Sequence, residues 1–261
     1  MPKLLPRPNG QNHLIETLSP DDRALLQPHL TAIELEQGMI LEEPGQPVEQ
    51  IIFPVSGIAS IIAMNATTGR QIEVGLFGRE GMSGTSILLG FASTPNRLNV
   101  QVSGHGLQIS TERLGELLRQ SPSLQQHLLG FIQTLLIQTS QTALSNKHSS
   151  LEERLARWLL MCHDRVEGDL LNLTHEFMSV MLGVRRSGVT VGTQILEGNG
   201  LIRAKRGAIT ILDRAGLEEE ARGSYGVPEA EYAKAFGSGD AEPGHATPPA
   251  ALRFIPGSDS R

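Results

Sequence analysis

A single glycine, Gly183, separates two short segments that both have the apolar spacing of a helix. The first segment, 175–182, follows Thr174, a residue type that often caps the N-terminus of a helix. The second segment covers about 185–198. Glycine at the junction can adopt the positive φ that a sharp turn needs. Two helices joined by so short a turn predict a helix-turn-helix, whose second helix typically enters the major groove of DNA.

The side chains of these two segments divide into an inner and an outer face. The small Ser179 lies where the two helices would approach each other. The residues expected to lock the pair together and to anchor it to a core are Met178, Leu182, Val184, Val189, Ile195 and Leu196. Gly188 and Gly192 lower the helix propensity of the second segment. They either leave that helix soft until it meets DNA, or permit a close approach to the first helix or to the DNA backbone.

A basic hairpin is predicted directly after the second helix. Two β-prone runs, 201–203 and 208–212, flank Lys205, Arg206 and Gly207, as expected of a wing that touches phosphates. Between Gly183 and Gly207 the chain has five cations and one anion, although its net charge is −6. This local excess favours a DNA-binding surface over a merely solvated face. The predicted DNA contacts are Thr174, Arg185, Arg186, Ser187, Thr190, Val191, Lys205 and Arg206.

The segment from residue 30 to residue 110 has an apolar period of two, as in Ile51, Phe53 and Val55. Turn signals such as EPGQP (43–47) and SGHG (103–106) separate its short runs. This spacing predicts an antiparallel barrel or sandwich. The expected class is therefore α+β, with a β-roll domain over 14–120 after a disordered lead over 1–13.

Helical spacing takes over at residue 111, and Ser121 with Pro122 marks the start of a long helix. This helix, 121–147, has a broad apolar surface, whereas a surface helix needs only one apolar face. It is either an ordinary core helix or a dimerisation helix whose interface is the stripe Leu124, Leu128, Phe131 and Leu135. The DNA-binding domain is expected over 148–222, and a flexible tail over 223–261, whose end is rich in Gly, Pro and Ser.

Composition argues against several classes of protein. Cys162 is the only cysteine, so an internal disulfide and an iron–sulfur cluster are excluded, and a buried apolar role is expected for it. The pair His175-Glu176 lacks the second histidine of a zinc-protease motif. Because no nucleophile–base pair, carboxylate pair or phosphate loop is visible, neither an enzyme nor a cofactor or metal is expected. No apolar run is long enough to span a bilayer, so a cytoplasmic protein is expected.

The order of the parts over about 14–215 resembles the Crp/Fnr family of transcription regulators, most specifically over 173–202. The phrases IIFPVSGIAS and GREGMSG also look like those of members that do not bind cyclic nucleotides. The resemblance implies a homodimer whose two winged domains read a near-palindromic operator with half-sites about one helical turn apart. It places Arg186 at the base-reading position, where arginine suits guanine. Ser187 and Val191 stand where the catabolite activator carries Glu and a second Arg, so a different operator is expected.

The resemblance also implies a candidate ligand site at Gly84, Thr85 and Arg97. Relatives that bind cyclic AMP carry a Gly-Glu pair for the ribose and an Arg-Ser-Ala run for the phosphate. Here Thr85 follows Gly84, and Leu98-Asn99 follows Arg97. The effector is therefore unknown and is not expected to be cyclic AMP, and an unpaired Arg97 is expected to be solvated. His105 and His127 are formally available to a haem iron, but solvated histidines are favoured.

The predicted partners are double-stranded DNA and a second copy of the chain, and RNA polymerase is a candidate. A regulator of transcription is favoured by the charge of the 183–207 segment. An alternative of another class is a ligand-binding module whose winged helix contacts a protein. The sequence does not separate activation from repression.

Overall fold

The period-two segment folds into antiparallel sheets, as predicted. The computed structural model describes residues 10–237. The N-terminal strands are β1 (Thr31–Leu35), β2 (Ile40–Glu42), β3 (Gln50–Pro54), β4 (Ile58–Met64), β5 (Gln71–Phe77), β6 (Arg97–Val102) and β7 (Gly104–Ser110). They form a three-stranded sheet of order β1-β7-β3 and a four-stranded sheet of order β2-β6-β4-β5. The helices of this half are α1 (His13–Glu16), α2 (Pro20–Leu26), α3 (Thr85–Leu88) and α4 (Thr111–Gln120).

The four-stranded sheet of the β-roll is covered on both of its faces. Ile51 and Phe53 are fully buried in the interior of the β-roll, as their alternation predicts. On the other face of the four-stranded sheet, Ile58, Ile62 and Leu76 belong to a second core shared with the C-terminal domain. The β-roll therefore serves as a docking surface for that domain as well as having a core of its own.

The long helix α5 (Pro122–His148) begins at a serine cap, where Ser121 Oγ accepts a hydrogen bond from the Leu124 amide at 3.1 Å. The expectation that its stripe forms a dimer interface is wrong. The four residues are 0–9% exposed and pack into the β-roll core of their own chain: Leu124, Leu128, Phe131 and Leu135. Helical periodicity identifies a face that must be buried but not what buries it. The exposed large apolar side chains of α5 are Leu136 and Leu144.

The C-terminal domain has the architecture of a winged helix-turn-helix, as predicted. Its elements are α6 (Leu151–Arg165), β8 (Leu170–Leu171), α7 (His175–Leu182), α8 (Arg186–Gly198), β9 (Ile202–Lys205), β10 (Ala208–Ile211) and α9 (Arg214–Glu220). The three strands form an antiparallel sheet of order β8-β10-β9. Within residues 10–237, no helix combines the length and the apolarity needed to cross a membrane.

The expected flexible tail is wrong for residues 223–236, because a last helix, α10 (Val227–Phe236), packs back against α5. Tyr232 and Phe236 are about 95% buried in the β-roll core. Phe236 fits over Gly130, where a side chain would crowd its ring. The Tyr232 hydroxyl hydrogen-bonds to His13 Nδ1 at 2.9 Å. Residues 238–261 lie outside the described residues.

The expected disordered lead over 1–13 is likewise wrong at its end. Asn12 is fully buried, and its side-chain amide donates to the carbonyls of Pro54 and Gly81, each at 2.8 Å. A buried amide with these partners is held in place, because leaving them would strand polar groups in the interior. Residues 1–9 lie outside the described residues.

Candidate nucleic-acid interface

Local capping interactions set the geometry of the helix-turn-helix. Thr174 Oγ1 accepts a hydrogen bond from the Phe177 amide at 3.1 Å, which caps the N-terminus of α7. Gly183 ends the helix with a φ of 64°. The next amide, Val184, donates to the Ser179 carbonyl at 3.0 Å, as in the common glycine C-cap. The chain then enters α8 with Arg185 as its exposed N-cap residue.

The inner face of α8 packs against α6. Val189 and Leu196 are fully buried. A Cβ atom on Gly188 would lie only 3.2 Å from Leu151 Cδ2 of α6, whereas a Cβ atom on Gly192 would meet Leu155 Cδ2 at an ordinary contact distance of 3.5 Å. Gly188 thus permits close packing of α8 on α6, rather than on α7. The expected anchoring role of Ile195 is wrong: this side chain is 41% exposed, because it points away from the face that carries Val189 and Leu196.

The outer face of α8 is open to solvent. The predicted contact residues that are exposed are Thr174, Arg185, Arg186, Ser187, Val191, Lys205 and Arg206. Thr190 is half-buried, and its hydroxyl bonds to the Arg186 carbonyl and to His175 Nδ1, both at 3.1 Å. Arg186 lies 3.7 Å from Glu176, and both side chains are more than two-thirds exposed. Such an exposed pair stabilises the chain little, so Arg186 can leave it for a stronger partner.

A groove with a volume of about 730 Å³ separates α8 from the wing. It brings together five of the predicted contacts: Thr174, Arg186, Thr190, Lys205 and Arg206. Arg185, Ser187 and Val191 lie outside it. His175, Gln194 and Glu197 also line the groove and were missed from the sequence. Gln194 could have been found, because it lies one helical turn beyond Thr190.

The wing carries its charge at the tip. In the antiparallel pair of β9 and β10, Lys205 lies opposite Ala208 and Ile202 lies opposite Ile211, which leaves Arg206 and Gly207 in the turn. Gly207 has a φ of 77°, a conformation that glycine adopts without strain. The acidic residue of this region, Glu197, accepts a hydrogen bond from the Ala204 amide at 2.9 Å. This carboxylate therefore ties α8 to the wing.

Residues 153–220 match the family model described as the Crp-like helix-turn-helix domain. The segment spans α6 to α9. The chain contains a Crp-like helix-turn-helix domain. A search of curated protein sequences finds no significant match.

Solved structures extend the likeness to the whole Crp/Fnr fold. A protein from Eubacterium rectale, assigned to the Crp/Fnr family of transcriptional regulators, is 20% identical; the match covers 81% of this chain and all of the other, with a TM-score of 0.64. A Crp/Fnr transcriptional regulator from Thermus thermophilus is 21% identical over 74% of this chain and all of its own, with a TM-score of 0.61. FixK2 from Bradyrhizobium japonicum is 16% identical; the match covers 73% of this chain and 96% of FixK2, with a TM-score of 0.61. At these identities the shared property is the fold, so the resemblance read from the sequence is confirmed at that level.

The β-roll of this Crp/Fnr fold encloses a cavity of about 240 Å³ against α5, lined in part by Thr85 and Arg97. The adjacent Gly84 has a φ of 72°, and its amide donates to Glu42 Oε1 at 2.6 Å. Burial raises the pKa of the Glu42 carboxyl above its usual range, although the Gly84 amide opposes this effect. Arg97 is not solvated and unpaired as expected, because it forms a 2.6 Å ion pair with Glu43.

That cyclic AMP is not the effector stays a prediction, because an ion pair as exposed as Arg97–Glu43 (30% and 41%) can give way to a ligand phosphate. A cyclic phosphate is an anion, and in this cavity the Gly84 amide and the Arg97 guanidinium already bind carboxylates of the chain itself. A bound nucleotide would have to displace Glu43 from Arg97 and lie near the Glu42 carboxyl.

The two histidines considered for haem have other partners. His127 is not solvated as expected: it is half-buried, its ring packs edge-on against Phe236, and its Nε2 bonds to the Leu14 carbonyl at 3.0 Å. Burial lowers the pKa of His127. His105 bonds to the Ser56 hydroxyl at 2.9 Å. In the part of the chain that the structure describes, no three His, Cys, Asp or Glu side chains are grouped as metal ligands.

Proposed function

We propose that this protein is a sequence-specific DNA-binding regulator of transcription that acts as a homodimer. The observation that carries the proposal is the groove, where an exposed arginine at the start of α8 faces two cations at the tip of the wing, Lys205 and Arg206. Helix N-termini add positive potential where an anionic duplex would approach.

In this arrangement α8 would contact base edges and the wing would contact phosphates. The outer side of the first two turns of α8 is exposed to solvent, so these turns can enter a major groove. Arg186 has the fork of donors that matches O6 and N7 of guanine. Lys205 and Arg206 extend beyond the helix, where phosphates of the flanking backbone would lie.

Arg186→Ala is expected to weaken binding to the specific operator by ~1–3 kcal/mol and to relax the preference for one base pair. The operator is first obtained by genome-wide selection of bound fragments, and affinity is then measured by fluorescence anisotropy at fixed salt. Arg119→Ala serves as the matched control, because Arg119 is an exposed arginine of α4, in the β-roll half of the chain.

A variant in the wing distinguishes a phosphate contact, which positions the protein on DNA, from a contact that recognises a base. Lys205→Ala should weaken all DNA sequences alike and lower the slope of log affinity against log salt by about one. If the wild-type protein shifts no DNA fragment at low salt, the proposal fails and the protein-contact alternative is favoured.

The proposed dimer uses the exposed side of α5, not the stripe expected from the sequence. The exposed Leu136 and Ala143 lie seven residues apart, the spacing with which helices pair along a seam. Leu129, seven residues earlier, is partly buried against the β-roll core of its own chain. Leu136 is 57% exposed, and Leu144, beside Ala143, is 55% exposed. Apolar side chains of this size along one helix favour a partner helix that removes them from water.

Leu136→Glu combined with Leu144→Glu is expected to convert the dimer to monomers, because it would place like charges opposite each other along the seam. Multi-angle light scattering measures the mass. Leu170→Glu is the control, since Leu170 is equally exposed (53%) but lies in the winged domain. A double variant that keeps the dimer mass contradicts the α5 interface.

A further inference from the structure

We propose that Val191 reads the C5 methyl group of a thymine in the operator and so adds a second specificity contact to that of Arg186. This inference rests on the proposed DNA-binding function and deepens it, because it names the chemistry that one side chain of α8 recognises.

The first support is the position of Val191 on α8. At about 100° per residue, a side chain two positions from the buried Val189 points to the opposite side of the helix. Val191 is accordingly 52% exposed, whereas Val189 is fully buried. Both valines have the same chemistry, so the exposure of Val191 follows from its place on the outer face.

The second support is what surrounds Val191. Ser187, one turn earlier on the same side, is exposed and has a short side chain that leaves the valine uncovered. Thr190 is held on its flank by the hydrogen bond to His175. Arg186 lies five residues nearer the helix N-terminus, about one and a half turns away. The valine thus sits between the base-reading arginine and the middle of the helix, within the two turns that would enter the major groove.

The third support is chemical. Val191 offers an isopropyl group and no donor or acceptor on its side chain. In the major groove, thymine presents the C5 methyl group beside its acceptor, whereas cytosine presents an amino donor. An apolar side chain against cytosine would leave that donor without a partner, and this penalty favours thymine. The same contact between two methyl-bearing groups removes apolar surface from water.

The test uses operators in which one thymine at a time is replaced by deoxyuridine, which removes the methyl group and keeps the hydrogen-bonding pattern. For the wild-type protein, replacement of one particular thymine in each half-site should lower the affinity for DNA about fourfold per half-site. This factor corresponds to ~0.8 kcal/mol, the free energy of burying one methylene-sized group. Val191→Ala should bind the thymine operator more weakly and should not distinguish it from the deoxyuridine operator.

Val227→Ala is the matched control, because Val227 is an exposed valine (45%) at the start of α10, away from the groove. It should keep the sensitivity of the wild type to deoxyuridine. If Val191→Ala retains full affinity, or if both variants lose the same factor at every thymine, the inference is overturned while the proposed function stands. If Arg186→Ala and the wild type both fail to bind any DNA, the proposed function itself is overturned, and this inference with it.

Discussion

Glu80→Ala is expected to destabilise the folded protein by about 3–5 kcal/mol, because it leaves the charge of Arg165 buried without its partner. Arg165 Nε lies 2.6 Å from Glu80 Oε1, and the two side chains are only 3% and 4% exposed. Glu80 also accepts the Gly78 amide, with its two oxygens at 3.2 and 3.1 Å. The variant therefore strands a cation and a backbone donor at once, and unfolding in urea measures the loss.

The exposed pair between Arg113 and Glu116 provides the control. Its side chains are each 40% exposed, and pairs of this kind contribute roughly 0–1 kcal/mol, so Glu116→Ala should be nearly neutral. Replacing both members of the buried pair, as in Glu80→Leu with Arg165→Met, should recover part of the loss, since the Arg165 charge is removed together with its partner. The recovery should be incomplete, because the Gly78 amide stays without an acceptor and the buried Glu229 loses a nearby cation. A loss for Glu80→Ala no larger than that for Glu116→Ala would contradict the argument.

The position of this pair explains why its loss should affect the whole chain. Glu80 follows β5 in the β-roll, and Arg165 is the last residue of α6 in the winged domain. A few residues away, the Trp158 indole donates to Glu73 of β5 at 2.8 Å. The turn at Gly183 also lies against Ile72. The two halves are thus joined by buried polar and apolar contacts, in addition to the short link between α5 and α6.

The helix-turn-helix and wing of the proposed DNA-binding site were predictable because their signals are local. A threonine cap at Thr174, a left-handed glycine at Gly183 and a basic turn at 205–207 each depend on a few neighbouring residues. Propensity and capping act over that same range, so the sequence shows them directly. The limits of α7 were predicted to the residue, and α8 begins one residue later than expected.

The packing partners were not predictable in this way. The stripe that includes Leu128 had to be buried, but its periodicity is the same whether the cover is a β-roll or a second helix. The helix α10 was missed because its burial depends on surfaces distant in the sequence, such as the space left by Gly130 for Phe236. The role of Gly188 is likewise visible only in the folded structure, where the residue packs closely against Leu151 of α6. Tertiary contacts decide these cases, and sequence spacing does not record them.

A second large effect is expected at Glu73, a fully buried carboxyl between the β-roll and α6. Burial raises its pKa to about 7, although hydrogen bonds from Ser60 and Trp158 oppose the shift. The geometry agrees with a neutral acid. The Ser60 hydroxyl has a single proton but lies within bonding distance of both Glu73 Oε2, at 2.7 Å, and Gln101 Oε1. If Glu73 is protonated and donates to Ser60, the hydroxyl is left to donate to Gln101, and every group is paired.

The free energy of unfolding should therefore fall as the pH rises. An unfolded glutamate titrates near 4.5, so between that pH and about 7 the folded state holds a proton that the unfolded state has lost. This contribution is complete below pH 4.5 and is lost as the pH rises through 7, by about 3 kcal/mol for this shift. Glu73→Gln mimics the neutral acid, since its amide can donate to Ser60 and its oxygen can accept from Trp158. At pH 8 it should be more stable than the wild type by about that amount, and the difference should vanish near pH 4.5. Urea unfolding at several pH values measures this difference, with the exposed Glu34→Gln as control. A constant difference between wild type and Glu73→Gln across the pH range would show that Glu73 does not titrate in this window.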